Sequence, residues 1–582
     1  MSSVAVPSGR WNLRLWPGLV LVAVMAFCLF VPVRVAPQSM FHILGFVFGL
    51  IAGLLLAILW WTTFARTGRP ERVWVPLLFV LPSLVVVALD VAGGEKVPVL
   101  MLFFGFPFVL AVWVGWLALS SPFEKSVRLT GLAVMMVVGW GAVGAVRISG
   151  MDGDMMPTLV LRFAPRAEDA AKELDSRQLV VPATALSQTA KPTLDWAEFR
   201  GPNRDGVLAG ATIDPDWEKY PPKLLWKQKI GPGWGSFTVV GDRLFTQEQR
   251  GESEAVVCYA AATGEEIWRH YEKERFYEQI AQAGPRATPT VSDGMVYAQG
   301  ATGILVCLTA EDGKLVWKTD IKADTGGITP DWGYSSSPLV LSGKVIVYTG
   351  GPDGQGTSAF DAATGKLAWS AGKATHGYSS AQRVTVAGVE QVLMLSDFGL
   401  ESFDPATGRV LWAFDWFKAG INRATQPTVI GDGEFLIGTG VQILGTKRLK
   451  VTKAGDAWSV AEVWFSKKAH PYFNDGVIFG DHFYGFASKS LVCVSLKNGE
   501  VVWNAGTRYA YGQIVLLKDC GLLVVQAESG KVYLVKATPD DHTEEAKMDA
   551  IPGKTWNHPV VNRGRLYVRN GEWAAVYELK TK

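Results

Sequence analysis

Eight short segments of this chain concentrate the residue types that hold ligands. They are GPGWGS with Trp234, GPRATP with Arg286, PDWGYSSSP with Asp331, Trp332 and Tyr334, and ATHGYSS with His376 and Tyr378. INRATQP follows with Asn422 and Arg423, then AHPYFNDG with His470, Tyr472, Asn474 and Asp475, TRYAYGQ with Arg508 and Tyr511, and TWNHP with Trp556, Asn557 and His558. Aromatic faces stack and guanidinium forks pair with carboxylates, so this set suits a flat anionic or polyhydroxylated ligand. A metal site or base catalysis asks for more: oxygen ligands for a cation such as calcium, or a carboxylate base beside the substrate. In these segments Asp331 and Asp475 are the two acids, and both are the weak candidates for a metal. Asp331 is the better candidate base because it neighbours Trp332, although capping a turn is the ordinary task of a loop aspartate. A second reading stands beside the ligand one. The aromatic residues plug a channel, and the arginines bond carbonyls of neighbouring elements.

Other chemistry finds little support. No histidine pair has helical spacing for zinc and no GxSxG nucleophile motif occurs. Asp152 and Asp154 form a DGD whose two carboxylates fall short of the roughly 6–8 oxygens of a calcium site, so it reads as a turn.

The elements that carry the eight segments are repeats. An apolar strand, a Thr-Gly-like or Asn-Gly-like turn and a Trp four residues after the Gly recur as ATGEEIW (Trp268), EDGKLVW (Trp317), ATGKLAW (Trp369), ATGRVLW (Trp412) and KNGEVVW (Trp503). Degenerate copies end at Trp226 and Trp464. The Gly (264, 313, 365, 408, 499) takes the positive-φ corner of a hairpin, and alternation then sends each Trp to the same face. A strand–turn–strand phrase opens each unit near residues 239, 291, 340, 384, 429, 478, 515 and 561. Four short antiparallel strands per unit make an all-β, eight-bladed β-propeller, with seven blades as the alternative. The last unit has three strands, so Leu224–Ile230 is expected to supply its outer strand and close the ring. Cys258, Cys307 and Cys493 share one place in three units and read as core.

The first quarter has a different composition. Apolar runs at 15–33, 41–64, 73–89, 97–119 and 129–146 are each near the ~20 residues that span a bilayer. The third and fifth are short, which leaves four spans open. Arg10, Arg14, Arg66, Arg69, Arg72, Lys125 and Arg128 fall on one side and Arg34, Lys96 and Arg147 on the other. That bias puts the N-terminus in the cytoplasm and everything after Arg147 outside. The first run lacks a small-x-small cleavage site and is expected to stay as an anchor. Asp90 and His42 lie at span ends and read as solvated interface residues. The expected domains are thus a membrane region at 1–148, a linker or collar at 149–193 with a short helix at Glu168–Leu174, and the propeller at 194–582. With 56 basic and 54 acidic residues there is no field to attract nucleic acid.

The full repeat D-x-x-T-G-[KR]-x-x-W, at Asp361–Trp369 and Asp404–Trp412, resembles that of the pyrroloquinoline quinone (PQQ) propeller superfamily. The lead-in FRGPNRDG, Phe199–Gly206, is similar to the stretch that precedes such propellers in membrane-anchored or secreted bacterial members. The resemblance covers roughly Asp195 to Lys582. That superfamily holds both quinoprotein dehydrogenases and non-catalytic propellers of outer-membrane assembly. Five spans before a propeller are similar to membrane-bound quinoprotein glucose dehydrogenase, which would imply PQQ with calcium. This chain has about 45 residues per blade, no vicinal Cys-Cys and no match to the catalytic Asp segment, so no dehydrogenase residue is carried over. The expected function is a ligand-binding or protein-assembly module on the bacterial inner membrane, facing the periplasm with a protein or glycan partner. The alternative is a PQQ-dependent sugar or alcohol dehydrogenase feeding membrane quinone.

Overall fold

The computed structural model describes residues 13–35, 40–95, 97–180, 195–418 and 421–582. Arg10, Lys96, the side chain of His42 and the later part of the expected linker lie outside the described residues. Two compact units result, one of residues 1–165 with 278–282 and the other of 166–277 with 283–582.

The first unit is helical. Five helices among the described residues are long and apolar enough to cross a membrane. They are α1 (Trp16–Val35), α2 (Met40–Leu59) continued by a π-helical turn to Phe64, the pair α3 (Arg69–Val80) and α4 (Pro82–Ala92), α5 (Leu102–Leu119) and α6 (Lys125–Gly144). The third span gains length from Arg69–Arg72, and Pro82, which lacks an amide donor, divides it into α3 and α4. Buried rings of Trp61, Phe79, Phe106, Trp113 and Trp140 hold the bundle, with centroids 5.0–5.4 Å apart along the chain of contacts. Glu71 pairs with Lys125 at 2.7 Å. Asp90, expected at a solvated interface, is instead buried and paired with Arg162 at 2.8 Å. Arg162 also donates to the Gly144 carbonyl at 2.7 Å, capping the negative end of α6. It can do so because the chain turns back after α6 through a hairpin, β1 (Val146–Met151) and β2 (Pro157–Leu161), within the stretch expected to begin a linker. Asp152 accepts the amides of Asp154 and Met156 inside this hairpin, as a turn aspartate does.

The second unit begins with α7 (Ala167–Leu174), which matches the short helix read from sequence. Eight antiparallel four-stranded blades follow, with one short parallel strand added at the inner edge of the seventh. Blades 1 to 8 have inner strands Thr238–Val240, Thr290–Ser292, Leu339–Leu341, Gln382–Val386, Thr428–Gly431, Val477–Phe479, Gln513–Leu517 and Val560–Asn562. These coincide with the eight opening phrases. Lys223–Lys229 pairs with Trp573–Glu578 as the outer strand of blade 8, so the ring closes as expected.

The repeated Trp and Gly meet across blades. Trp226, Trp268, Trp317, Trp369 and Trp464 each lie on the Gly of the following repeat, where a Cβ would come within 2.5–2.7 Å of the indole. The indole N–H groups of Trp226, Trp268, Trp317 and Trp369 donate to Ala261, Ala310, Ala362 and Pro405 at 2.9–3.1 Å. The Gly therefore does two things: it takes a φ near +70° and it seats the preceding blade's tryptophan. Trp412 and Trp503 are the exceptions, since no glycine among the described residues lies against either ring: Trp412 bonds Gln391 of its own blade at 2.7 Å and Trp503 donates to the Thr538 carbonyl of the next at 2.8 Å.

Candidate functional site

The eight segments are the loops that lead into the inner strands, so all lie at one end of the ring, its mouth. Their last residues form a belt. The amide of Ser236 donates to Thr288 Oγ1 at 2.8 Å, that of Thr288 to Ser337 Oγ at 3.0 Å, and that of Ser337 to Ser380 Oγ at 2.9 Å. Further round, the Gln426 amide donates to Asp475 Oδ1 at 2.7 Å. The Ser236 hydroxyl joins blade 1 to blade 8 through the His558 carbonyl at 2.7 Å. Each side chain thus satisfies a buried amide of the neighbouring blade.

Inside the belt sits the chain's own lead-in. Trp196 pairs with Val239, and Val207–Leu208 lies parallel to Leu516–Leu517, so the segment between them crosses the channel from blade 1 to blade 7. Arg204 is fully buried and donates to Ser337 and Pro338 carbonyls at 2.9 and 3.1 Å and to Glu198 at 3.3 Å. Burial lowers its pKa to about 10. Arg200 donates to the Gly476 carbonyl at 2.6 Å and lies 3.7 Å from Asp475. The Phe199 ring meets His558 edge-on at 5.0 Å. Gln382 and Arg383 of blade 4 hold the Asn203 and Pro202 carbonyls. FRGPNRDG is a cork.

Asp475 and His558 belong to this seal, 3.3 Å apart. Burial works against the Asp475 carboxylate, but Arg200, His558 and the Gln426 amide hold its pKa below the ordinary aspartate value. Burial pushes the His558 pKa down, with Asp475 offsetting part of the shift.

Above the cork the mouth aromatics form a continuous chain. Trp234 meets Trp556 at 5.2 Å, Trp556 meets Phe473 at 5.3 Å, and Phe473 meets Tyr472 at 5.1 Å. Tyr472 then reaches Trp332 at 6.5 Å, Trp332 stacks on Tyr378 at 5.2 Å, and Tyr378 meets His376 at 5.1 Å. Tyr511 stacks on Phe473 at 5.9 Å. Lys554 Nζ stands 4.1 Å from the Trp556 ring centre and 5.1 Å from that of Trp234.

The remaining candidates are dispersed. Tyr334 is fully buried in the core and donates to the Thr349 carbonyl at 3.2 Å. Arg423, also buried, donates to the Ser396, Asp397 and Trp416 carbonyls, and burial lowers its pKa to about 10. Arg286 donates to the Trp332 carbonyl at 3.1 Å and to that of Gly284. Arg508 is exposed and pairs with Glu544 on the outer strand of blade 7 at 2.8 Å. Asn474 donates to the Gly512 carbonyl. His470 is half-buried, and burial lowers its pKa. Asp331 is exposed. Sequence reasoning singled out neither Phe473, within AHPYFNDG, nor the cork residues Arg200 and Arg204, although FRGPNRDG itself was visible.

PQQ, a flat tricarboxylate, fits this set poorly. Arg286 and Arg423 are bonded to backbone carbonyls, Arg508 lies away from the channel, one face of Trp332 is covered by Tyr378, and Asp475 is bonded into the belt. Among the described residues no group of three or more His, Cys, Asp or Glu could hold a metal.

Comparison with known proteins agrees with the architecture. A family model described as outer membrane protein assembly factor BamB matches residues 223–305 and 253–505. This chain carries PQQ-like repeats in an eight-bladed β-propeller, preceded by five helices long and apolar enough to cross a membrane. It is 38% identical over 97 residues to quinohemoprotein alcohol dehydrogenase ADH-IIG of Pseudomonas putida, covering 16% of this chain and 13% of that enzyme. It is 32% identical over 167 residues to polyvinylalcohol dehydrogenase of Sphingopyxis, covering 25% and 23%. BamB of Yersinia pestis is 24% identical over 155 residues, covering 25% of this chain and 36% of that protein. The chain thus spans about a quarter or less of the two dehydrogenases' length. BamB from Moraxella catarrhalis superposes with a TM-score of 0.45 at 14% identity, covering 62% of this chain and 98% of that one.

Proposed function

We propose that this chain is a non-catalytic binding or assembly module of the bacterial inner membrane, with a cytoplasmic N-terminus and its propeller in the periplasm. The aromatic mouth around blades 1 and 8, Trp234 and Trp556 flanking Lys554, recognises a protein or glycan partner. One observation carries this reading: Arg286, Arg423 and Asp475, which a cofactor would need, are bonded to the protein's own carbonyls, amides and cork. The relative named an assembly factor supports the same class. A photoreactive amino acid at position 554, activated in native membranes, should yield a discrete adduct that Trp234→Ala and Trp556→Ala each remove. An adduct pattern indifferent to both substitutions sinks the proposal.

The dehydrogenase reading is favoured by the short identities to quinoprotein enzymes. It predicts dye-linked oxidation of a sugar or alcohol by protein reconstituted with PQQ and calcium.

A further inference from the structure

At the mouth end of blades 4 to 6 the exposed residues differ from those of the aromatic chain. This part of the surface is made up of the loop residues 372–381, 416–418, 421–427 and 467–476, and the turns 396–398, 439–445 and 488–489 between second and third strands. Among their described residues Lys373, Lys418, Lys467 and Lys468 are exposed. The two carboxylates there, Asp397 and Asp475, are both buried, at 5% and 3% exposure. Two exposed acids border it: Asp415, which ends the outer strand of blade 4 and accepts the Phe417 amide at 3.0 Å, and Asp331, beside the Trp332 ring that stacks on Tyr378. Among these lysines two large apolar side chains stand out in solvent, Phe417 at 59% and Ile443 at 68% exposure, both on blade 5.

The loops bearing them are knit together. The Tyr378 amide donates to the Arg423 carbonyl at 2.9 Å, and the Lys418 amide to that of Asp397 at 3.3 Å. Gly438 and Gly440 lie so close to Pro471 and Tyr472 that a Cβ at either would come within 2.5 Å of its neighbour. The lysines and apolar tips therefore form one supported surface rather than a set of independent loops.

We propose that this surface docks on an anionic lipid bilayer. Phe417 and Ile443 enter the boundary between headgroups and acyl chains, and the four lysines pair with lipid phosphates. Two features favour lipid over an acidic protein. The apolar side chains protrude instead of lining a groove, and the cations are lysines, point charges suited to diffuse headgroup phosphates, rather than forked arginines placed for carboxylates. The site lies across the ring from Trp234 and Trp556, so it is independent of the partner-binding reading.

The test uses the full chain in nanodiscs of zwitterionic lipid, mixed with vesicles and floated. Wild type should co-float with vesicles containing about one-third phosphatidylglycerol and not with purely zwitterionic ones, and about 1 M salt should release it. Each lysine replaced by alanine should weaken binding about fivefold, and the quadruple variant several-hundred-fold. Phe417→Ser with Ile443→Ser should weaken it at least about tenfold at low salt. All six residues are exposed, so an unchanged circular dichroism spectrum and melting curve are expected for every variant. Equal flotation on both vesicle types, or none on either, overturns the proposal, and the second result leaves an acidic protein as the occupant.

Discussion

Replacing Gly365 by alanine tests whether the repeat is held by tryptophan seating or by turn conformation alone. Gly365 has φ +71° and its added Cβ would lie 2.5 Å from the Trp317 ring. Gly343 has almost the same φ, +70°, with nothing within 4 Å of its Cβ position. Gly343→Ala should therefore cost only the left-handed strain, about 1–2 kcal/mol. Gly365→Ala adds more. A carbon contact relaxes to about 3.5–4.0 Å, so the indole must retreat by roughly 1 Å. That breaks its 2.9 Å bond to the Ala362 carbonyl, worth about 1 kcal/mol, and loosens a side chain only 8% exposed, worth about another. The two variants should differ by about 2 kcal/mol. Trp317→Ala combined with Gly365→Ala should cost less than the sum of the single changes by a similar amount, because the clash has been removed. Urea midpoints of the detergent-solubilised protein would read these differences. Equal destabilisation by Gly343→Ala and Gly365→Ala, or strict additivity in the double variant, would refute the seating argument.

The cork carries two further predictions. Arg204→Ala strands two carbonyls in the sealed channel, leaves Glu198 to Arg383 alone, and should destabilise the propeller by about 3–5 kcal/mol in the same assay, with Arg204→Lys failing to restore the forked contact. Because burial lowers the His558 pKa, the unfolded chain takes up a proton below about pH 6.5 that the folded chain resists. Stability should fall on acidification from about pH 7 to 5, by at most about 1.4 kcal/mol per unit, and His558→Gln should flatten that slope. The contribution of Asp475, whose pKa is depressed, is present above about pH 4 and is lost at lower pH.

Periodicity made the ring legible. Strand phrases near residues 239 to 561 coincide with the inner strands, and the missing outer strand lies at Lys223–Lys229, one residue from the expected start. Such features are local, resting on alternation and turn chemistry within about ten residues. Contacts between residues far apart in the chain were not legible in the same way. The spacing of Gly365 and Trp369 suggested a hairpin, while the partner that Gly365 seats is Trp317, on the preceding blade. Arg423 and Tyr334 have the residue types of a binding loop and are instead buried among carbonyls and core. FRGPNRDG was recognisable as a lead-in, but its cork role depends on Ser337, Gly476 and Leu516, more than 130 residues away. Asp90 likewise found its partner, Arg162, 72 residues later.

Whether the mouth residues seal the ring or hold a cofactor is decided most directly by equilibrium dialysis of the full-length protein against PQQ, with and without calcium. The account predicts no saturable binding at micromolar PQQ in either condition, and no change on Arg286→Ala or Trp332→Ala. Saturable, calcium-dependent binding that either substitution abolishes would contradict it and make the propeller a quinoprotein.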